Sequence, residues 1–489
     1  MQRLYVLLIF ALIFVNHCFA STLYHVRCGY YPENIRIVFD FDENFSYATE
    51  EAGEKIIIRL KNTAASSQIP SYVDLNDLVV RYLQIEKEDE DLLVTIPLSE
   101  DVNYKIFSLS MPPRLVIDFD RDFLHMVSGG MVGDGVEYLK IKQGSAKGNL
   151  MATVVKIDPN KARVEPVLAK KFKPGFLESF ISFLAFWNKP ASTSKHFYID
   201  KVKNMADDSD ALAGINGTFF ANSGSPLGAL IINEELVSLP VFDRTALIID
   251  DQNKPHIDTV YIKGVVRFED GKIIKISGIN QKHDAEDVIV YTPVWGERTG
   301  IAAKGLELVI DDSQIKQINP ANSKIPPTGY VISLSGNEAN LAAQSAKAGS
   351  VIETQFKIIP YHTSPSKVVH LISGGPRLLK NGRIYVSKHE EKFRADVAEK
   401  RAARTAVGIT RNNELILIAV AAPQKNRSNP SLSSLGASLE ELARLLQSLG
   451  AVNAFNLDGG GSTTMIVDGR TVCGGGRRVS NALLVLPKN

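Results

Sequence analysis

The sequence predicts an α+β protein, in which a small all-β sandwich domain precedes a larger domain built on a mixed sheet. The chain has 489 residues, which is more than one ordinary hydrophobic core supports. Short runs of β-branched residues fill its first part, whereas strand-like runs farther on alternate with glycine-rich loops and one amphipathic helix. The formal net charge is only +1, which argues against nucleic acid as a partner.

The first twenty residues have the pattern of a signal peptide. Arg3 supplies the positive region, Leu4 to Val15 form the apolar run, and small residues at Cys18 and Ala20 suit cleavage before Ser21. Spanning a bilayer takes about 20 apolar residues, so this run is short for a transmembrane helix, although a retained anchor is the alternative. The prediction is an exported protein of the periplasm, the cell envelope or the extracellular space.

Residues 22–125 are predicted to form the small β-sandwich. Turn-forming and charged residues separate four β-branched, partly alternating runs, namely Ile35–Phe41, Ile56–Leu60, Leu92–Ile96 and Arg114–Phe119. The motifs RIVFDF and PPRLVIDF in this region resemble the AMIN-type domain of exported bacterial proteins. That resemblance implies envelope targeting, with a cell-wall or envelope polymer as the partner, and a generic sandwich is the alternative.

The stretch 126–135 contains several glycines and is predicted to be a linker to the second domain, residues 136–489. One helix of that domain is predicted from about Ser438 to Leu449, because leucines recur there at helical spacing. Ser438 and Glu441 have the spacing of a capping box, and Gly450 suits the position that ends the helix.

Four glycine-rich polar clusters of the second domain contain the candidate functional residues. They are Gly214–Phe220, Ser373–Arg377, Asn456–Thr464 and Gly474–Asn481. Glycines let backbone N–H groups converge on an anion, and arginine adds a fork of donors that matches phosphate. Ordinary turns are the alternative, except at Asp458, which follows an apolar strand and has no evident structural task. The nine histidines show no zinc-ligand spacing, so no metal or other cofactor is predicted.

Five motifs occur in the order found in the phosphodiester glycosidase family, which the chain resembles from about residue 131 to 489. They are GINGTFF, ISGGPRLLKNGRI, RTAVGIT, NLDGGGSTTMIVDG and GRRVSNALLVLP. The resemblance implies a hydrolase that cleaves the sugar–phosphate bond of a glycosyl 1-phosphodiester. Carried over residue by residue, it implies Asp458, Arg404 and Asn216 as catalytic residues. The implied substrate-binding residues are Arg377, Gly459, Gly460, Ser462, Thr463, Arg478, Ser480 and Asn481.

The bond to be cleaved gives these residues expected roles. A phosphate monoester leaves as a stable anion, so acid catalysis matters less than it does for an ordinary glycoside. We expect Arg377 and Arg404 to clamp phosphate oxygens, although a structural ion pair is the alternative for Arg404. Asp458 would act as nucleophile or general base at the anomeric carbon. N–H groups of Gly459 and Gly460 would assist the clamp, and Asn216, Ser462, Thr463 and Asn481 would orient sugar hydroxyls or water.

The expected substrate is an envelope polymer or exopolysaccharide that contains glycosyl phosphodiesters. Two alternatives stay open at this point. One is a glycosidase for a non-phosphorylated glycan, against which the arginine pair argues. The other is a non-catalytic glycan-binding protein of the envelope, against which the presence of Asp458 and the polar residues at every motif argues.

Overall fold

The computed structural model describes residues 21–31, 34–75, 77, 79–144, 149–170, 196–284, 286–302, 305–424 and 434–488. The predicted signal peptide, residues 1–20, lies outside these described residues. The chain divides into two compact units: the main stretch of the first ends at Phe123 and the second begins at Leu124. In the described ranges no helix has both the length and the apolar character needed to cross a membrane.

The first unit is a β-sandwich of two five-stranded sheets, which confirms the predicted all-β domain. Its strands are β1 (Ser21–Tyr30), β2 (Asn34–Phe41), β3 (Ser46–Glu51), β4 (Lys55–Lys61), β5 (Thr63–Ala65), β6 (Tyr72–Asp74), β7 (Tyr82–Glu88), β8 (Asp91–Pro97), β9 (Tyr104–Ser110) and β10 (Pro113–Asp120). The sheet orders are β5-β1-β2-β10-β9 and β3-β4-β8-β7-β6. Alternate residues such as Ile35, Ile37 and Phe39 of β2 are fully buried, as the period-two pattern requires. The two motifs noted above lie on the neighbouring antiparallel strands β2 and β10.

The second unit contains the remaining strands and the described helices. The strands are β11 (Phe123–Gly133), β12 (Val136–Gly144), β13 (Leu150–Ile157), β14 (Ala162–Leu168), β15 (Ala213–Asn216), β16 (Leu230–Ile232), β17 (Glu235–Ser238), β18 (Arg244–Asp250), β19 (Pro255–Phe268), β20 (Ile273–Ile276), β21 (Gly278–Ile279), β22 (Val288–Tyr291), β23 (Gly305–Asp311), β24 (Gln314–Asn319), β25 (Tyr330–Ser335), β26 (Ile352–Pro360), β27 (Val368–Ser373), β28 (Arg377–Lys380), β29 (Arg383–Ile384), β30 (Arg404–Thr410), β31 (Leu415–Val420), β32 (Ala451–Asn456), β33 (Thr464–Val467), β34 (Arg470–Gly474) and β35 (Asn481–Pro487). The helices are α1 (Val202–Asp207), α2 (Gly336–Ser345), α3 (Ala395–Ala398) and α4 (Leu439–Ser448).

These strands form four sheets with the orders β11-β12-β13-β31-β30-β32-β28-β29, β14-β35-β15-β33-β34, β17-β16-β27-β18-β19-β20 and β21-β22-β25-β23-β24. Strand β26 also pairs with β19. The α+β class is confirmed, but parallel pairing, which makes a sheet mixed, is rarer among the described strands than predicted. The described pairings around β15, β30, β32 and β35 are antiparallel, and the parallel pair of this unit is β21 with β22. Hairpins can join antiparallel strands, so few crossover helices are needed.

The stretch predicted as a linker is instead largely a strand. Residues 126–133 belong to β11, the edge strand beside β12 in the eight-stranded sheet. The two residues between these strands are Asp134 and Gly135, and Gly135 has a φ of +70°. Asp-Gly between two strands is a strong signal of a β-hairpin. The other glycines of the stretch led to its interpretation as a linker.

The predicted amphipathic helix is confirmed as α4, together with its capping box. The Ser438 hydroxyl accepts from the Glu441 N–H at 3.2 Å, and the Glu441 carboxylate accepts from the Ser438 N–H at 2.8 Å. Gly450 follows the helix with a φ of +93°. Leu442 and Leu446 are fully buried and pack on the eight-stranded sheet, where α4 holds the strands that lead into the site.

Candidate active site

Strand ends bring the main candidate residues together. Asn216 is the last residue of β15, and Asn481 is the first residue of the neighbouring strand β35. Thr464 begins β33, also paired with β15, and Asp458 follows β32 by two residues. The Asp458 N–H donates to the Gly217 carbonyl at 3.2 Å, which joins the loop after β32 to the segment after β15. Rigid strand ends thus hold the loops that carry the candidate chemistry.

Asn216 is fully enclosed and connects three distant segments. Its amide nitrogen donates to the backbone carbonyl of Asp458 at 2.6 Å. Its oxygen accepts from the Thr405 hydroxyl at 2.8 Å and from the Thr464 N–H at 3.0 Å. The side-chain oxygen thus accepts two hydrogen bonds, and the residue has no exposed surface. Asn216 is therefore a positioning residue in this structure, rather than a group that touches the sugar as expected.

Asp458 presents a carboxyl group of raised pKa. Burial raises the pKa of Asp458 above its ordinary value, and three groups oppose that rise. They are the Ser462 hydroxyl, the positive charge of Arg477 and the Gly459 N–H. A partly buried carboxyl group with its own donors and a cation beside it is the arrangement that acid–base and nucleophilic sites use.

Arg477 is the cation beside Asp458. The sequence-based prediction selected its neighbour Arg478 instead. Its Nη1 donates to the Ser462 hydroxyl at 3.3 Å, and its guanidinium carbon lies 5.0 Å from the centre of the Phe220 ring. Arg478 is also exposed, but the arginine charge acting on Asp458 is that of Arg477. Nothing in two consecutive arginines of a glycine-rich loop indicates which of them lies beside Asp458.

Arg244 is a second arginine that the sequence analysis did not select. Its guanidinium carbon lies 4.1 Å from the centre of the Phe393 ring, and Phe393 contacts Phe219 with ring centres 5.7 Å apart. Burial lowers the pKa of Arg244, and Glu391 opposes that change. Its buried Nε has no hydrogen-bond partner among the described residues. Arg244 is thus held by an aromatic ring next to the GINGTFF segment with donor capacity to spare.

Arg404 is not a phosphate clamp beside Asp458, contrary to the expectation. Its side chain is only 3% exposed, and it donates to the backbone carbonyls of Val397, Lys400 and Ala437. The next residue, Thr405, binds Asn216, and consecutive residues of a strand face opposite sides of the sheet. Arg404 therefore holds backbone that lies on the other face of β30.

Arg377 is also not brought to Asp458, because its guanidinium is occupied elsewhere. Its Nε donates to the Leu379 carbonyl at 3.1 Å, and its Nη2 donates to Asn453 Oδ1 at 2.8 Å and to the Ile257 carbonyl at 3.3 Å. Its Nη1 is 3.9 Å from Asp258 Oδ1. Burial lowers the pKa of Arg377, and the nearby carboxylates oppose this effect. The structure places Arg377 in a cleft whose lining does not include Asp458.

The glycines after Asp458 shape the loop, but they do not supply N–H groups to phosphate as expected. The Gly459 N–H hydrogen-bonds the Asp458 carboxylate, and the Gly460 N–H donates to the Ala403 carbonyl at 2.9 Å. Gly460 has a φ of +59°, which explains why glycine is needed there. The short 3-10 turn Gly460–Ser462 then carries the Ser462 hydroxyl to Asp458.

Asn481 and Ser480 are buried and organise the GINGTFF segment. Asn481 Oδ1 accepts from the Thr218 N–H at 2.8 Å, and its Nδ2 donates to the Ser480 hydroxyl at 3.0 Å. A Cβ on Gly217 would lie 2.0 Å from Asn481 Oδ1, so only glycine fits there. These contacts make both residues positioning residues in the structure, not groups that meet the sugar directly.

Four buried polar atoms near these segments have no hydrogen-bond partner among the described residues. They are Thr218 Oγ1, Ser373 Oγ, Asn456 Oδ1 and Thr463 Oγ1. Thr218 Oγ1 and Ser373 Oγ are neighbours, since a Cβ on Gly228 would lie 2.4 and 2.5 Å from them. Unpaired buried polar atoms are rare in folded proteins, so this concentration indicates a place for water or ligand. Thr463 thus keeps a hydroxyl for the binding role expected of it.

Metal ligation is a separate question. In the part of the chain that the structure describes, no three His, Cys, Asp or Glu side chains are grouped to hold a metal ion.

The bonding of Arg404 predicts a stability defect rather than a binding defect. Arg404→Ala leaves three backbone carbonyls without their donors, and an unsatisfied buried group costs about 1–3 kcal/mol. We expect the free energy of unfolding to fall by about 3 kcal/mol, measured from the urea midpoint of the second unit. Arg444→Ala, at an exposed position of α4, is the matched control. An unchanged midpoint with a raised KM would instead support the phosphate clamp.

Comparison with known proteins gives matches to the second unit and to the whole fold. Residues 299–486 match the family model described as phosphodiester glycosidase. Over 156 residues the chain is 34% identical to the N-acetylglucosamine-1-phosphodiester alpha-N-acetylglucosaminidase of Bos taurus, and over 151 residues it is 29% identical to that of Mus musculus. These alignments cover 27% and 29% of this chain and 28% of each relative, so the chain matches less than a third of their length.

Two solved structures share the fold. A hypothetical protein from Synechocystis aligns with a TM-score of 0.60 at 24% identity, covering 96% of this chain and 81% of that one. A protein of Burkholderia pseudomallei K96243 aligns with a TM-score of 0.55 at 17% identity, covering 91% and 97%. Asp458, Ser462 and Arg477 lie inside the segment that matches the family model, whereas Asn216 and Arg244 lie before it.

Proposed function

We propose that this chain, whose residues 299–486 match the family model described as phosphodiester glycosidase, hydrolyses the sugar–phosphate bond of a glycosyl 1-phosphodiester. One observation carries the proposal: a carboxyl group of raised pKa, Asp458, lies beside an arginine and hydroxyl groups in the family-matched segment. A glycosyl phosphodiester needs both a group that acts on the anomeric carbon and a cation for the departing phosphate.

Asp458 supplies the group that acts on the anomeric carbon. As general base it removes a proton from water that adds to the anomeric carbon, while the C–O bond to phosphate breaks and its electron pair leaves with the phosphate monoester. As nucleophile it forms a glycosyl ester that water then hydrolyses. In both routes the carboxylate stabilises positive charge that develops on the sugar ring. The raised pKa makes the ionised group more basic than an ordinary aspartate.

Arg477 supplies the cation for the departing phosphate. Phe220 and Ser462 hold its guanidinium near Asp458, while its other nitrogens retain donors for phosphate oxygens. Arg244, held on Phe393 with an unpaired Nε, is the further cation that we assign to the phosphate or its alcohol substituent. Arginine suits this role because its planar fork matches two oxygens of a phosphate group.

The substrate that we propose is a glycosyl phosphodiester of an envelope polymer or exopolysaccharide. Two features of the sequence support this: the signal-peptide pattern of the first twenty residues and the RIVFDF and PPRLVIDF motifs of the first unit. In this proposal the exported chain uses its first unit to reach the polymer. The relatives from Bos taurus and Mus musculus are named for an N-acetylglucosamine 1-phosphodiester, which makes that sugar the first to test.

The test is turnover by the purified full chain on paired substrates that share a sugar. We expect release of sugar from an N-acetylglucosamine 1-phosphodiester. The kcat/KM for this diester should be at least about 100-fold above that for an aryl glycoside of the same sugar, because only the diester engages the arginines. Equal turnover of both substrates would favour a general glycosidase. Binding of the diester by full chain that shows no turnover of any phosphodiester tested would favour a glycan-binding protein.

A further inference from the structure

A cleft of about 330 Å³ lies in the second unit, within the size range of small-ligand sites. It contains Arg377, which the sequence analysis had assigned to phosphate. Its lining residues are Asp243, Thr259, Tyr361, His362, Arg377, Lys380, Tyr385, Ser387, Glu390 and Glu391. Asp458, Ser462 and Arg477 are not among them.

Two exposed tyrosines line this cleft. Tyr361 is 53% exposed and Tyr385 is 40% exposed, although large aromatic side chains usually bury most of their surface. The Tyr361 hydroxyl donates to Asp243 Oδ2 at 2.6 Å, and Lys380 Nζ lies 5.7 Å from the centre of the Tyr385 ring. Each ring is therefore held from one side while much of its apolar surface remains in contact with solvent. Such rings offer flat apolar faces with polar groups beside them.

Polar groups of the cleft are fixed before any ligand arrives. Asp258 is fully buried and accepts from the His362 N–H at 2.6 Å, from His362 Nδ1 at 3.0 Å and from the Thr363 N–H at 2.7 Å. Burial opposes the charge of Asp258, but these hydrogen bonds keep its pKa below the ordinary value. Because Nδ1 of His362 is engaged, Nε2 is the nitrogen that remains for a ligand. Arg377, 6% exposed, has Nε and Nη2 bound to protein and Nη1 near Asp258.

The charges that line the cleft do not favour an anion. Arg377 and Lys380 are opposed by three carboxylates, those of Asp243, Glu390 and Glu391. Glu391 is already bonded to Thr245 and to the backbone N–H of Arg377, and Asp243 to Tyr361. A phosphate or uronate would meet these acids as well as the two cations. Hydroxyl groups, in contrast, can donate to carboxylates and to His362 Nε2, and they can accept from Arg377.

We propose that this cleft binds a neutral sugar unit of a glycan, separately from the site around Asp458. The faces of Tyr361 and Tyr385 pack against the C–H faces of the pyranose ring, as aromatic rings do with flat apolar surfaces. Its hydroxyls bind Arg377 Nη1, His362 Nε2 and Glu390. The choice of a glycan as ligand rests on the proposed function, in which the chain acts on a polymer. The cleft then retains a neighbouring part of that polymer during successive cleavages.

The test measures equilibrium binding of neutral oligosaccharides to the full chain, without turnover. The probes are chitotetraose, maltotetraose and cellotetraose, with tetragalacturonate as the anionic comparison. We expect at least one neutral tetraose to bind more tightly than tetragalacturonate, and Tyr361→Ala and Tyr385→Ala each to weaken that binding about 10-fold. Tyr261→Ala, at a 43%-exposed tyrosine outside the cleft lining, should change it less than twofold.

The same variants separate this proposal from the proposed function. Turnover of a small glycosyl phosphodiester should stay within about twofold of the unmodified chain in Tyr361→Ala and Tyr385→Ala. Loss of that turnover would overturn the proposal, because it would place the tyrosines in the reaction site. Absence of neutral-tetraose binding, tighter binding of tetragalacturonate, or binding unaffected by both tyrosine variants would also overturn it. These three binding results, unlike the turnover result, are independent of whether the chain hydrolyses a phosphodiester.

Discussion

Asp458→Asn is expected to lower kcat by roughly 10² to 10⁴, the range for loss of a positioned acid–base group. Asparagine keeps the shape of the side chain and can still accept from the Ser462 hydroxyl and the Gly459 N–H, but it cannot accept a proton or attack carbon. The measurement is kcat on a glycosyl 1-phosphodiester, together with the affinity for the substrate and a melting curve. Affinity should change little or improve, because a carboxylate repels a phosphodiester.

The melting curve should show no loss of stability. Burial raises the pKa of Asp458 in the folded chain, so the ionised carboxylate is destabilising at neutral pH relative to the unfolded chain. Asparagine removes that charge. Asp468→Asn is the matched control, since Asp468 is exposed and lies at a φ of +48° that asparagine also adopts. Turnover within threefold of the unmodified chain in Asp458→Asn would exclude Asp458 as base or nucleophile.

Arg477→Ala is expected to lower kcat/KM by about 10², the effect of removing one donor to a developing negative charge. An arginine–phosphate contact exists before and during bond cleavage, so KM should rise as well as kcat fall. A second effect concerns pH. The charge of Arg477 lowers the pKa of Asp458, so removing it raises that pKa further, and the acidic limb of the kcat/KM profile moves to higher pH.

Arg470→Ala is the matched control for this experiment, because Arg470 is an exposed arginine at the start of β34 and carries the same charge. It should change kcat/KM by less than about twofold and leave the acidic limb in place. Arg477→Lys should recover part of the activity and most of the pH profile, since lysine restores the charge but not the planar fork. Equal losses in Arg477→Ala and Arg470→Ala would show that net positive charge, rather than one positioned guanidinium, supports the reaction.

The pair Arg404 and Thr405 shows why residue type was predictable and residue role was not. The sequence identifies a polar pair at the start of an apolar strand, but the pair lies on opposite faces of the sheet. Thr405 faces Asn216, whereas the Arg404 side chain reaches three backbone carbonyls on the other face. Which face meets the reaction depends on the sheets that pack there, and local sequence does not contain that information.

Local signals, in contrast, gave reliable local structure. The alternation in β2 and β4 predicts the sandwich because one face of each strand must be buried, and the capping box at Ser438 predicts the start of α4. Asp458 could be singled out because a carboxylate after an apolar strand has few structural uses. Arg244 could not, because its selection depends on the Phe393 ring, which comes 149 positions later in the chain.

The bonds of Asn216 determine when in folding the site can exist. This one side chain joins partners that lie 189, 242 and 248 positions along the chain. Closing such long loops is entropically costly, and folds rich in distant contacts form slowly. During synthesis from the N-terminus, Asn216 emerges long before Asp458 and the strand that begins at Asn481. Nascent and C-terminally truncated chains therefore lack the site, and the proposed hydrolysis becomes possible only once nearly the whole chain has been made and folded.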